Sequence, residues 1–232
     1  MEKLSFTLYE IFGYFLPGVV GITATVILFW TLFLPGVPIP IHSVELSKLW
    51  YLGLVVVAYY AGHVLQDMSR SLFKIPDHQE LMHRLGLTTI IARVQAELAT
   101  HLGMAQSHMP EIAVTVKLCD ELSVQYGRIG DRDVFVYREG FYRGSFAAFL
   151  LLDLTLIVRT IVPGAALQLS RLFPISHGEL IFLVIVVSGS AFFLLQRYKH
   201  FAALRVMHGI LATVCLLDFQ FLSEKAAAPK KQ

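Results

Sequence analysis

Charge and cysteine are what this sequence has least of. Asp, Glu, Lys and Arg make up 16% of its 232 residues, against about 25% in an ordinary soluble domain. The two cysteines, Cys119 and Cys215, are too few for a disulfide framework and stand in no zinc-ligand spacing. His200 and His208 lie two helical turns apart without a third ligand, so no metal site is expected. HExxH, GxSxG and GxxxxGKS/T are all missing, and with them any expectation of a catalytic residue or a cofactor. Nucleic acid is not an expected partner either. Residues 69–143 balance nine basic side chains with nine acidic ones, which leaves no electrostatic footprint for phosphates.

What the chain has instead is apolar length. Its hydrophobic fraction is 56% and its mean hydropathy +0.63, concentrated in four runs: Pro17–Leu34, Leu49–Met68, Ser145–Val162 and Leu180–Leu195. Crossing ~30 Å of hydrocarbon at about 1.5 Å per residue takes roughly 20 residues in a helix. The fold class expected is therefore all-α, a polytopic membrane protein with spans at 17–34, 49–68, 145–162 and 180–196. The last run is the shortest and recruits Gln196 and Arg197 by snorkelling. The first run ends in LFLPGVPIPIHS without a small-x-small cleavage pattern, so it reads as a retained span.

Lys and Arg set the orientation. Only Lys48 falls in the first connection and only Arg171 in the third, whereas 69–143 carries nine and the chain from Arg197 onward carries six. Positive loops stay inside, which puts both termini and the middle segment in the cytoplasm. Trp30, Trp50 and Tyr51 then mark the opposite interface. The organisation expected is an interfacial N-terminal segment (1–16), a first transmembrane hairpin (17–68), a helical cytoplasmic region (69–143), a second hairpin (144–196) and a cytoplasmic C-terminal helix and tail (197–232). Pro17 is taken as the first residue of its span, a place where a missing N–H costs nothing. The alternative is a single helix running through Pro17.

Helical periodicity places further helices outside the runs. Leu87, Ile90, Ile91, Val94, Leu98 and Leu102 recur on one face, as do Ile112, Val116, Cys119 and Leu122, with Gly103 and Gly127 as stops. The stretch from Asp131, taken as an N-cap, enters the third span as one long helix. On it Gly140, Gly144 and Ala148 repeat every fourth residue, a small-residue face that lets helices approach closely. The stretch QRYKHFAALRVMHGILATVCLLDFQFL prolongs the fourth span with an apolar stripe from Phe201 to Leu217, suited to packing on the 87–127 helices.

A few polar residues interrupt the apolar runs, and they are the candidate site. In YYAGHVLQDMSR, the residues Tyr59, His63, Asp67 and Arg70 fall on one helical stripe descending to the cytoplasmic surface. Asp153 lies near mid-membrane, where an unpaired carboxylate costs at least ~2.5 kcal/mol. Arg159 is about 120° around the same helix, poorly placed to pair with it. His63 or Tyr59 is the first partner expected for Asp153. These six residues together would form a polar path, and four helices supply too little wall for one, so a homo-oligomer follows. The plainer alternative is that each polar residue is a structural link between helices.

The stretches YEIFGYFLPG, YYAGHVLQDMSR and YREGFYRGSF resemble a group of small bacterial inner-membrane proteins with an aromatic start, a Pro-Gly before the first span and a Gly-His at the end of the second. Some proteins of that build are membrane components of antiviral defence systems. The resemblance implies a channel-forming or membrane-perturbing effector, or a membrane partner that docks a cytosolic protein through its cytoplasmic helices.

Overall fold

The computed structural model of the chain describes residues 2–34, 48–73, 78–101, 103, 110–125, 129–161 and 176–227. Every regular element among them is a helix: α1 (Glu2–Phe33), α2 (Lys48–Leu72), α3 (His78–Arg84), α4 (Thr88–His101), α5 (Ile112–Gln125), α6 (Ile129–Ile161) and α7 (His177–Ala227). The chain divides into two compact units. One comprises Met1–Lys74 and Tyr137–Tyr198, the other Ile75–Val136 and Lys199–Gln232.

Among the described residues, three helices are long and apolar enough to cross a membrane, over Gly13–Phe33, Asp133–Ile161 and His177–Asp218. The fourth expected span does form a helix, α2, but does not join that group. The run Tyr59, Tyr60, His63, Gln66, Asp67 dilutes the apolar character of its C-terminal half. The expected break before Pro17 is absent as well, because α1 runs unbroken from Glu2 to Phe33 with Pro17 inside it. Residues 2–16 are thus continuous with the helix that follows Pro17. Proline inside a helix removes one i→i−4 bond, and the unit supplies a substitute donor, described below.

In the first unit, α6 lies beside α1 and runs in the same direction. Gly144 is next to Pro17, Thr155 reaches the Ala24 carbonyl and Arg159 reaches Thr31. The first part of α7 runs the opposite way along α6, with Leu156, Leu180 and Val187 buried between them beside Phe149, Leu152 and Val184. The start of α7 is fixed by a reciprocal cap. Ser176 N–H donates to Glu179 Oε2 at 2.6 Å, and Glu179 N–H donates to Ser176 Oγ at 3.2 Å. At the other end of the expected span Arg197 folds back over the Phe193 ring, 5.1 Å from its centroid.

The second unit has its own core, made of Leu81, Met82, Leu87, Ile91, Val94, Leu98, Val116, Cys119, Val206 and Ile210. These come from α3, α4, α5, the later part of α7 and, with Leu87, the turn before α4, so the two sequence stripes and the C-terminal stripe do meet. α3, which periodicity did not reveal, ends in a Schellman turn. Leu87 N–H donates to the Met82 carbonyl and Gly86 N–H to the His83 carbonyl, with Gly86 at φ +66°. Gly103, the expected stop of α4, takes φ +65°. Asp131 lies inside α6 rather than at its cap, and Gly127 lies outside the described residues.

Candidate functional site: polar links between apolar helices

In the first unit α1 and α2 approach to backbone contact. A Cβ on Gly18 would overlap the carbonyl oxygen of Ala58 and lie 2.9 Å from Gly62 N, and a Cβ on Gly62 would overlap the Tyr14 carbonyl. Only glycine at both positions lets the two backbones touch. Beside this crossing the Pro17 ring removes the N–H that would otherwise bond the Gly13 carbonyl. Gln66 of α2 fills that role: its Nε2 donates to Gly13 O at 3.3 Å. Backbone groups freed by proline in apolar helices are commonly satisfied this way.

Gln66 reaches the carbonyl because α6 leaves it room. A Cβ on Gly140 would sit 3.3 Å from the Gln66 amide, and one on Gly144 would sit 2.9 Å from Gln66 Cγ and 3.6 Å from the Pro17 ring. The small-residue face Gly140, Gly144 and Ala148, the last fully buried, is therefore where α6 receives α1 and α2. Three helices meet at one amide.

His63 sits on the same crossing, stacked on Tyr14 with ring centroids 3.6 Å apart and edge-on to Tyr59 at 4.7 Å. Tyr14 and Tyr59 also meet edge to face at 5.7 Å. Two members of the expected stripe thus belong to an aromatic cluster with α1. The other two, Asp67 and Arg70, are exposed, and no ion pair joins them.

Asp153 meets neither His63 nor Tyr59. Its partner is Ser188 of α7, whose Oγ lies 2.9 and 2.8 Å from the two carboxyl oxygens. Asp153 also borders an apolar cleft of 460 Å³ between α2 and α6, lined by Leu65, Leu72, Leu150 and Ile157 among others. Arg159 is on a third interface, where its Nη1 is 3.5 Å from Thr31 Oγ1 of α1. The structure therefore brings Tyr59 and His63 together, leaves Asp153 and Arg159 on separate interfaces and leaves Asp67 and Arg70 exposed. Most remaining hydroxyls turn back on their own helices: Thr25, Thr31, Thr160 and Ser190 each donate to the carbonyl four residues earlier.

No family model, curated protein or solved structure matches the chain.

In the second unit polar groups are placed differently. Arg93 of α4 pairs with Glu97 at 2.8 Å and with Asp218 of α7, and these carboxylates hold the guanidinium above its usual range. All three side chains are solvent-facing. The Cys119 thiol is buried, and that desolvation pushes its pKa up. Cys215 is exposed. Among the described residues no group of His, Cys, Asp and Glu could hold a metal ion.

Sequence reasoning missed Gln66 and Ser188. A usable signal existed for the first: a proline inside an apolar helix orphans the carbonyl four residues back, and an amide on a neighbouring helix is the natural donor. Ser188 gave no signal, since serine is ordinary in apolar helices.

Proposed function

We propose that this chain is an integral membrane protein that crosses the bilayer four times, through α1, α2, α6 and the first part of α7, and that it serves as a non-conducting anchor. The observation that carries the topology is the common direction of α1 and α6. Two spans running the same way need an odd number of crossings between them. α2, at 25 residues, is the longest described helix in that interval, and from Trp50 to Val57 every residue on it is exposed, as suits a lipid environment. Both termini, the second unit and the 69–143 segment then face the cytoplasm, in keeping with the excess of Lys and Arg there.

The anchor reading rests on how the polar residues are spent. His63, Asp153 and Arg159 each face a partner on a different helix pair, which is what structural links do and what a continuous polar path does not. The cytoplasmic helices, with their own core, are the natural surface for a soluble partner. A second reading is a homo-oligomeric pore, favoured by the position of Asp153 beside an open cleft that further copies could wall in. A bacterial inner-membrane location and a defence role are what the sequence resemblance implies, and both readings are compatible with them.

Purified protein in liposomes separates the two. Vesicles that stay sealed to ions and small dyes, with particles in detergent of monomer mass, support the anchor. Flux that Asp153→Asn abolishes, from a particle of several copies, overturns it.

A further inference from the structure

Among the described residues, Arg159 is a cation without an anion. Its residue surface is 4% exposed, its Nε is sealed from solvent with no acceptor, and among the described residues its side chain bonds to the neutral Thr31 hydroxyl alone, at a long 3.5 Å. Arginine stays charged in proteins and carries a planar fork of N–H donors suited to two oxygens at once. The carboxylate on the same helix, Asp153, is engaged by Ser188 on another interface. Thr31 and Arg159 lie two residues before the ends of α1 (Phe33) and α6 (Ile161), about 3 Å of helix rise. That is the level at which a span leaves hydrocarbon for headgroups, and Trp30 on α1 marks it too.

From this geometry we infer that Arg159, backed by Thr31, is an oxyanion site that takes a phosphate group at the end of the α1–α6 pair. The phosphate of a membrane lipid is the source closest to hand if α1 and α6 span the bilayer, on which this inference rests. A soluble phosphate would satisfy the same donors. The Thr31 hydroxyl, already turned back on the Ile27 carbonyl at 2.7 Å, steers the guanidinium without neutralising it, so the charge is left for a ligand.

The test uses the full chain, delipidated in a maltoside detergent, with thermal unfolding followed as phosphatidylglycerol, a diacylglycerol of the same chains, or inorganic phosphate is added. Phosphatidylglycerol is expected to raise the melting temperature of the wild type and diacylglycerol to leave it unchanged. Arg159→Gln should weaken the phosphatidylglycerol response about tenfold, the worth of one charge-assisted hydrogen bond. A response to inorganic phosphate that also needs Arg159 would identify the soluble source. Equal responses to phosphatidylglycerol and diacylglycerol, or a response unaltered in Arg159→Gln, overturn the site. If Arg159→Gln does not fold, Thr31→Val replaces it: losing the hydroxyl that steers the guanidinium should weaken the phosphatidylglycerol response, and an unchanged or larger one overturns the site. Carbonate extraction of cell membranes, run alongside, reports on spanning itself. Protein that resists extraction yet shows no Arg159-dependent response rejects the site and leaves the membrane reading standing.

Discussion

Replacing Gln66 by leucine should expose how α1 tolerates its internal proline. The substitution keeps a side chain of similar bulk in the slot beside Gly140 and Gly144 but takes away the donor at 3.3 Å from the Gly13 carbonyl. A buried carbonyl left without a donor costs ~1–3 kcal/mol, while interhelical side-chain bonds in membrane proteins average nearer ~0.6 kcal/mol. The long distance points to the lower end, so a loss of about 1 kcal/mol is expected. Pro17→Ala restores the N–H that closes the ordinary helical bond to Gly13, and in that background Gln66 has nothing left to cap. Gln66→Leu should then cost only its packing change, and the cycle should show a coupling of about 1 kcal/mol between positions 17 and 66. Unfolding of the four proteins in mixed detergent micelles, followed by circular dichroism, measures it. Equal costs for Gln66→Leu in both backgrounds would refute the capping role.

Three further outcomes follow from the same interfaces. Gly18→Val and Gly62→Val each drive a side chain into a carbonyl of the facing helix, so each should cost at least ~2 kcal/mol and separate α1 from α2, read as lost crosslinking between engineered cysteines on the two helices. Ser188→Ala removes the donor shared by both Asp153 oxygens and should destabilise by ~1 kcal/mol, whereas Asp153→Asn, which keeps an acceptor for Ser188, should cost less; the reverse order in an unfolding series would contradict the pairing. Burial raises the Cys119 thiol pKa, so the folded chain holds that proton to higher pH than the unfolded one. The resulting stability is complete below the ordinary thiol range and is lost as pH rises through it toward the raised value. Wild type should therefore lose stability more steeply than Cys119→Ala above about pH 8.5, and parallel stability–pH curves would rule this out.

Much of the fold was legible in the sequence because apolar length and period-3.6 repetition are local signals. The runs that became α1, α6 and α7, and the stripes through Val94, Cys119 and Ile210, announce themselves residue by residue. What was not legible is set between helices. Pro17 reads locally as a boundary, and only the Gln66 amide from another helix makes an unbroken α1 tolerable. The partner of Asp153 could not be chosen among candidates, since register between α6 and α7 is fixed by Leu156, Leu180 and Val187 rather than by charge. His63, which spacing grouped with Asp67 and Arg70, is claimed by the ring of Tyr14. The Gly140–Gly144–Ala148 face was visible as a pattern, but which helices it would receive was not.

The most direct measurement concerns whether α2 carries the chain back across the bilayer. Cys215 is an exposed native reporter and Cys119 is buried and silent, so one added cysteine, Ser43→Cys in the connection between α1 and α2, suffices. With four crossings, three of them lie between residues 43 and 215, and the two positions face opposite compartments. In intact cells an impermeant maleimide should label Ser43→Cys at once and Cys215 only after permeabilisation. Labelling of both positions from the same side would mean that α2 does not cross.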